Sequence, residues 1–460
     1  MGVYSLSMPT LNLAQLQATF RGELIQPSDP GYEDARRIWN ASINKRPALI
    51  ARCAGTADVV AAVRFARENN LLTAIRGGGH NVGGRALCDD GLVIDLSRMR
   101  SVYVDAANRT VRVQGGATLG DLDNETHLFG LAVPVGVVPK TGVAGLTLGG
   151  GVGFLIRKYG MSIDNLLSCQ VVTADGEVLV ASESEHPDLF WALRGGGGNF
   201  GVVTSFEFRA HPVRNVVGGL LIYPRAMARD LLRNFRDHIE SAPDELTAYV
   251  PIMHAPDGTP VVAFAPCYCG DPAEAARVLE PFRAVGTPMV DAIQTMPFPA
   301  MQSLFAPAFP DGSQNYWKSS LHRVFSDEAI DITVEWANRM TSPFSAVVVE
   351  HYGGAAGRVP NDATAFPHRD VPWDVILPAQ WIGSADETQH RDWSRAAAEA
   401  LRPHSAGGHL LAALDADESS HTGFGSNLPR LAAIKARYDP TNFFRVNQNI
   451  QPAITQAVGT

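Results

Sequence analysis

Cysteine is scarce in this 460-residue chain, which holds only Cys53, Cys88, Cys169, Cys267 and Cys269. An odd, scattered set does not build a disulfide framework and points to a reducing, cytoplasmic setting. Cys267 and Cys269 form C-x-C in an apolar run that reads as a strand. No second Cys or His pair lies nearby at ligand spacing, so buried thiols fit better than a zinc or redox pair, and no metal site is expected. No apolar run reaches the roughly 18 residues of a membrane span. The first residues, "MGVYSLSMPTLNLAQL", have no basic n-region and no long apolar h-region, so no signal peptide is expected. Lys and Arg number 38 against 47 Asp and Glu, and no stripe concentrates them. Nucleic acid is therefore not an expected partner. Walker A, H-E-x-x-H and C-x-x-C motifs are all missing.

Glycine, by contrast, is plentiful, with 43 residues. It gathers in three clusters, at 77–84 in "AIRGGGHNVGG", 142–153 in "TGVAGLTLGGGVGFLIRKYG" and 195–201 in "RGGGGNFGVVTSFEF". Gly196, Gly198 and Gly201 make a formal G-x-G-x-x-G. The residues after it alternate and are β-branched, so a strand follows where a dinucleotide fold needs a helix. Glycine-rich loops expose successive backbone N–H groups that can cradle phosphate oxygens. Several such loops in one domain fit a cofactor with a pyrophosphate and a flat ring better than a mere set of tight turns. His80 sits among neighbours that have no side chains to shield it, so the backbone holds it against whatever the loop cradles.

Along the chain, short strands and helices alternate to about residue 214. The stretch "TADVVAAVRFARENN" reads as an amphipathic helix capped by Thr56, with Val59, Val63 and Ala66 on one face. "TLGDLDNETHLFG" reads as a helix closed by Gly130, and "CQVVTADGEVLVAS" as a hairpin turning at Asp175 and Gly176. From about 215 the pattern becomes α+β with an antiparallel sheet. The final segment is a helix ended by Pro440 and an extended polar-aromatic tail.

Four stretches, "RGGGHNVGG", "VPKTGVAGLTLGGGVGFLIRKYGMSIDNLL", "RGGGGNFGVVTSFEF" and "YDPTNFFRVNQNI", resemble in order and spacing the berberine bridge enzyme-like FAD-linked oxidases. These belong to the vanillyl-alcohol oxidase, or PCMH-type, superfamily. The resemblance covers roughly residues 35–455, and the second motif is nearest in detail to the bacterial members. It implies an α+β fold with a PCMH-type two-subdomain FAD-binding domain at 1–214, its core about 42–214. A substrate domain at 215–410 with an antiparallel sheet flanked by helices follows, then a segment at 411–460 that returns to the first domain. It also implies that His80 carries FAD covalently through the flavin 8α-methyl, with Arg76, Gly77, Gly78, Gly79, Asn81 and Gly84 about the pyrophosphate. Thr141, Gly142, Gly145, Gly149, Gly150 and Gly153 would line the flavin. Gly201 and Val203 would flank the adenine side, and Asn447 and Asn449 of the last motif would complete the cofactor site.

Two departures from the family pattern carry consequences. Many members have a second, cysteinyl link four residues before the first glycine of the second motif. That position is Val138, so a single link at His80 is expected. Many also carry a tyrosine base near the C-terminus, where the matching stretch "LLAALDAD" puts Ala412 and Ala413. A base would then come from the substrate-domain sheet or not be needed. The candidates are Glu350, His351 and Tyr352 in "VVVEHYGG", and Tyr316, Lys318 and His322 in "NYWKSSLHR". On a strand Glu350 and Tyr352 share one face and His351 takes the other. A carboxylate base should give a flatter rate above neutrality than a phenol, and Glu350→Gln should slow flavin reduction more than Tyr352→Phe. Trp381 is a candidate pocket wall or core residue. The resemblance implies an oxidase that moves a hydride from a small amine, alcohol or secondary metabolite to FAD, with dioxygen as acceptor giving hydrogen peroxide. In this family a small residue just before the first glycine of the second motif accompanies reaction with oxygen, and Thr141 stands there. A flavin dehydrogenase, an oxidative cyclase or a non-catalytic flavoprotein are the alternatives. The chain is expected as a monomer or homodimer.

Overall fold

The computed structural model describes residues 12–383, 385–411 and 421–454. A mixed sheet comes first, with strands Glu23–Ile25, Leu49–Arg52, Leu92–Asp95 and Thr73–Arg76 in that spatial order. Leu49–Arg52 and Thr73–Arg76 both run parallel to Leu92–Asp95. Helix Thr56–Glu68 makes the crossover and buries Val59, Val63 and Ala66 completely. Its cap is Gly55 rather than Thr56. The Thr56 hydroxyl instead donates to Gln170 at 2.9 Å.

Next comes an antiparallel sheet in the order Val102–Asp105, Thr110–Gln114, Val202–Arg209, Leu166–Val172, Val178–Ser182. The strand Val202–Arg209 directly follows the third glycine cluster, as the alternating sequence requires. Gly176, at φ +73°, turns the last hairpin. Helix Leu119–His127 starts with a capping box between Thr118 and Asp121, and the chain then turns at Gly130, φ +70°.

Strands between Asn215 and Trp381 form a larger antiparallel sheet, nine-stranded among the described residues. Leu246–His254, Val347–His351, Trp373–Trp381 and Gln314–His322 are neighbours in that order. Helices Ala228–Ile239, Asp327–Ala337 and Glu387–Leu401 pack on its back, where Leu231, Phe235, Ile330 and Trp393 share one apolar cluster with Val250 and Trp373. Trp381 belongs to this cluster too, 5.4 Å from the His390 ring, so it is core and not pocket wall. The opposite side of the same strands faces a cavity.

Helix Leu428–Tyr438 stops before Pro440, and the tail returns to the first half, where Phe443 and Phe444 pack with Leu49 and Leu92. The buried Lys435 ammonium holds this return. It pairs with Asp439 at 2.6 Å and donates to the carbonyls of Asn199 and Phe444. Asp439 accepts in turn from the Phe443 and Phe444 amides.

Several polar clamps join the two halves. Asn40 donates from Nδ2 to the carbonyls of Val82 and Asn315, and accepts from the Asn315 amide at 2.9 Å. Arg369 grips Asp164 with two parallel bonds of 2.7 and 2.6 Å. Trp191 donates to the Asp362 carbonyl at 2.7 Å. Among the described residues, no helix is long and apolar enough to cross a membrane.

Candidate active site

A cavity of about 440 Å³ separates the glycine loops from the inner face of the large sheet. The first loop leaves the end of strand Thr73–Arg76 and brings Gly77, Gly78, Gly79, His80 and Asn81 to the wall. The second brings Thr141, Gly142, Gly145 and Gly149, with Val138 just before them. From the third come Gly201 and Val203, and from the tail Asn447.

The glycines do two different jobs. Gly78 and Gly142 are forced by contact between loops: a Cβ on Gly78 would lie 2.4 Å from the Gly142 nitrogen, and one on Gly142 would lie 2.4 Å from the Gly78 nitrogen. Gly145 has nothing within 4 Å of its Cβ position, and Gly198 has only the Asn447 amide at 4.0 Å. Those two leave bare backbone facing empty space that a flat cofactor would fill. This fits FAD, as does the polar inventory. The buried Nε2 of His80 and Oδ1 of Asn447 have no hydrogen-bond partner.

His80 stacks on Trp39, with ring centroids 4.1 Å apart and planes within 10°. Burial pushes its pKa down to about 4. The imidazole is thus neutral at physiological pH, with a lone pair available for bonding. Trp39 is itself fixed edge-on against Trp317 of the large sheet.

Other expected cofactor residues sit elsewhere. Arg76 turns its guanidinium to the Ala35 carbonyl, 2.5 Å away, and does not line the cavity. Gly84, at φ +66°, packs under Ile43. Gly150, at φ +124°, backs onto Met161 and Phe366, and Gly153 abuts the Val135 carbonyl. Asn449 also lies off the wall. These residues shape the loops from behind, because a motif marks backbone constraint and ligand contact alike.

Across the cavity, Glu350 and Tyr352 face inward beside Tyr249, and Phe309, Trp317 and Phe344 line the same cavity. The Tyr352 hydroxyl lies 2.7 Å from Glu350 Oε2 and 3.0 Å from Asp374 Oδ2. Burial, reinforced by the Asp374 charge, raises Glu350 to about 8. Burial likewise raises Asp374 to about 7 against its hydrogen bonds. The Tyr352 phenol is pushed well above its usual value, first by burial and then by the two carboxylates.

His351 takes the opposite face, as strand alternation demands, and this removes it from the catalytic candidates. Its Nδ1 accepts from the buried Arg157 at 2.9 Å, and burial with that cation pushes it down to about 3. His322 is bonded to Ser320 and to the His404 carbonyl, and Tyr316 receives the Arg395 guanidinium. Lys318 lies over the Tyr316 ring. None of these three lines the cavity. Ala412 and Ala413 lie outside the described residues.

Comparison with known proteins decides the family. The FAD binding domain family model matches residues 47–182, and the berberine and berberine-like model matches 412–451. (R)-6-hydroxynicotine oxidase of Paenarthrobacter nicotinovorans is 33% identical over 94% of this chain and 97% of its own. The chain belongs to the berberine bridge enzyme-like FAD-linked oxidoreductases. The crystal structure of 6-hydroxy-D-nicotine oxidase from Arthrobacter nicotinovorans superposes with a TM-score of 0.86 at 32% identity, covering 94% of this chain and 98% of that one. Glucooligosaccharide oxidase from Acremonium strictum, described with a 6-S-cysteinyl, 8α-N1-histidyl FAD, gives 0.86 at 25% identity, covering 95% and 98%. The protein is thus an FAD-dependent oxidoreductase with the PCMH-type α+β fold.

Asp374, Trp39 and the Lys435–Asp439 pair escaped the reading of the sequence. The strand "WDVILPAQW" that carries Asp374 reads as an apolar run interrupted by Pro378, and nothing in it marks the aspartate. Asp439, in "YDPTNFF", was visible as part of a motif, but its buried partner Lys435 was not.

Proposed function

We propose that this protein is an oxidase. It takes a hydride from a C–H bond of a small amine, alcohol or secondary metabolite, and dioxygen is the final acceptor, giving hydrogen peroxide. FAD, when bound, supplies the two-electron acceptor. The observation that carries this reading is His80: a neutral, buried imidazole with an unpartnered nitrogen on a glycine loop that opens into the same cavity as Glu350.

On this reading His80 is the only covalent anchor. Val138 occupies the second position, on the cavity wall, and has no nucleophile to offer. Gly145, Gly149 and Gly198 leave room for the flavin, and Thr141 borders its approach. The aromatic lining of the cavity suits an apolar or aromatic substrate better than a sugar, whose hydroxyls would find few partners there. Glu350 is the group placed to take a proton from the substrate. Five scattered free thiols support a cytoplasmic location.

The test has three arms. Denatured wild-type protein should keep flavin fluorescence in its gel band, and His80→Ala should lose all of it. Retention in the variant would mean another anchor. Photoreduced protein mixed with air-saturated buffer should reoxidise faster than free reduced flavin. Slower reoxidation would make it a dehydrogenase. An oxygen-uptake screen across aromatic amines, phenolic alcohols and sugars should give peroxide with one of the first two classes.

A further inference from the structure

Glu350 and Asp374 are directly opposite one another on adjacent antiparallel strands, and Tyr249 is opposite Glu350 on its other side. Cross-strand neighbours have Cβ atoms about 5 Å apart, and like charges there repel. Both carboxyl groups are buried, so two full negative charges side by side are disfavoured twice over. The hydroxyl of Tyr352 bridges them, 2.7 Å from one and 3.0 Å from the other.

The hydrogens can be counted. The Tyr352 hydroxyl has one hydrogen and two carboxyl neighbours, so it can donate to only one of them. The second short contact needs a donor on the carboxyl side. Asp374 is already committed as an acceptor: it receives the Ser319 hydroxyl at 2.7 Å and the backbone amides of Ser320 and Val375. Glu350 has no such set and opens on the cavity.

We propose that Glu350 and Asp374 hold one shared proton across the Tyr352 hydroxyl, and that Asp374 is the positioning residue that keeps this proton on Glu350 in the resting site. The chain runs from the Glu350 carboxylic acid to the Tyr352 oxygen, and from the Tyr352 hydrogen to the Asp374 carboxylate. The inference rests on the reading of this cavity as the place where substrate is oxidised. Its chemical content is a gate. At neutral pH the group facing the substrate is an acid, suited to a substrate bound as its neutral base. When the proton leaves to solvent, Glu350 becomes a base.

The surrounding groups leave this arrangement intact. Tyr249 approaches from Leu246–His254 as a neutral phenol, raised well above its usual value by burial. From Gln314–His322, Ser319 donates to Asp374, while Lys318 and His322 are turned to Tyr316 and to Ser320. His409 is bonded through Nδ1 to the Ser319 carbonyl. On the other side of Glu350's own strand, Arg157 is held by His351 and the Ala242 carbonyl.

Infrared spectroscopy of the flavin-loaded protein, without substrate, tests the proposal. In the difference spectrum against Glu350→Gln, which cancels other buried acids such as Asp123, a carboxylic-acid C=O band should be present at neutral pH and disappear with a midpoint near 8. In Asp374→Asn, which keeps the shape and the Ser319 contact, the midpoint should fall by more than about one pH unit, because the repelling charge is gone. The visible spectrum of the bound flavin should follow the same two titrations. An unchanged midpoint in Asp374→Asn overturns the proposal. If that variant does not fold, Glu350→Gln still decides: a wild-type-minus-variant difference spectrum with no carboxylic-acid band at neutral pH would mean that Glu350 does not hold the proton and would overturn the assignment. Failure of the oxidase reading would show as absent peroxide and would not move these titrations.

Discussion

The two walls of the cavity are built on opposite principles. The glycine-loop wall is made of backbone. Its side chains are missing by necessity, since Gly78 and Gly142 approach too closely for a methyl group and Gly145 and Gly198 leave space. The sheet wall is made of side chains on a regular scaffold, where alternate residues face the cavity and the backbone is engaged in strand pairing. A backbone wall recognises what all relatives share, a common cofactor. A side-chain wall can change residue by residue without disturbing the fold, which is why relatives with 6-hydroxynicotine and oligosaccharide oxidase names share one architecture.

This contrast can be broken experimentally. The largest effect should come from Gly78→Ala. Its new methyl would meet backbone, which cannot give way as a side chain can, so flavin incorporation should be lost, read as the flavin-to-protein absorbance ratio. Glu350→Gln comes next, with flavin reduction slowed about 10²- to 10⁴-fold for a base that takes a proton, and more than in Tyr352→Phe. Anaerobic stopped-flow measures both. In the wild type with a non-ionising substrate, the rate should rise through a pH near 8, because only the ionised carboxylate accepts a proton. The ordinary carboxylate value predicts a profile flat above neutrality, and burial of Glu350 overturns that expectation.

Lys435→Ala should lower stability by about 3–5 kcal/mol, since Asp439 would remain buried with its charge uncompensated. Thermal unfolding of the flavin-loaded protein checks it. The smallest effect on the fold should come from Gly145→Ala, which lies within helix Val143–Leu148 and has open space at its Cβ. The apoprotein should be as stable or up to about 1 kcal/mol more so, while the methyl group intrudes on the cofactor and lowers flavin retention. Full flavin retention in that variant would mean that Gly145 does not face the ring.

The backbone wall was far more legible in the sequence than the side-chain wall. Glycine clusters at 77–84 and 142–153 announce themselves by their density, at Gly78 and Gly142 because no larger residue tolerates the contact, and His80 stands out against them. The alternation around Val202 correctly separated a strand from a dinucleotide-fold helix. On the other wall, alternation placed Glu350 and Tyr352 together and His351 apart, but it could not say which strand would lie opposite. Register between distant strands is a property of the assembled sheet, so Asp374, 24 residues on, could not be paired with Glu350 beforehand. Arg76 shows the reverse limit. It belongs to the most recognisable loop, yet its guanidinium serves Ala35.

The side-chain amide of Asn40 ties the loop that carries His80 to the strand that carries Trp317, and Arg369 with Asp164 closes the seam again farther along. Each bond is buried or nearly so, and each joins segments more than 40 residues apart in sequence. A molecule stitched in this way does not open like a jaw. Traffic into the cavity would instead pass by local rearrangement at its rim, by side chains swinging aside while the His80 loop and the sheet stay in register. Turnover would then be paced by a small door rather than by the hinge of a book, and bulk at the doorway would filter substrates before the chemistry ever meets them.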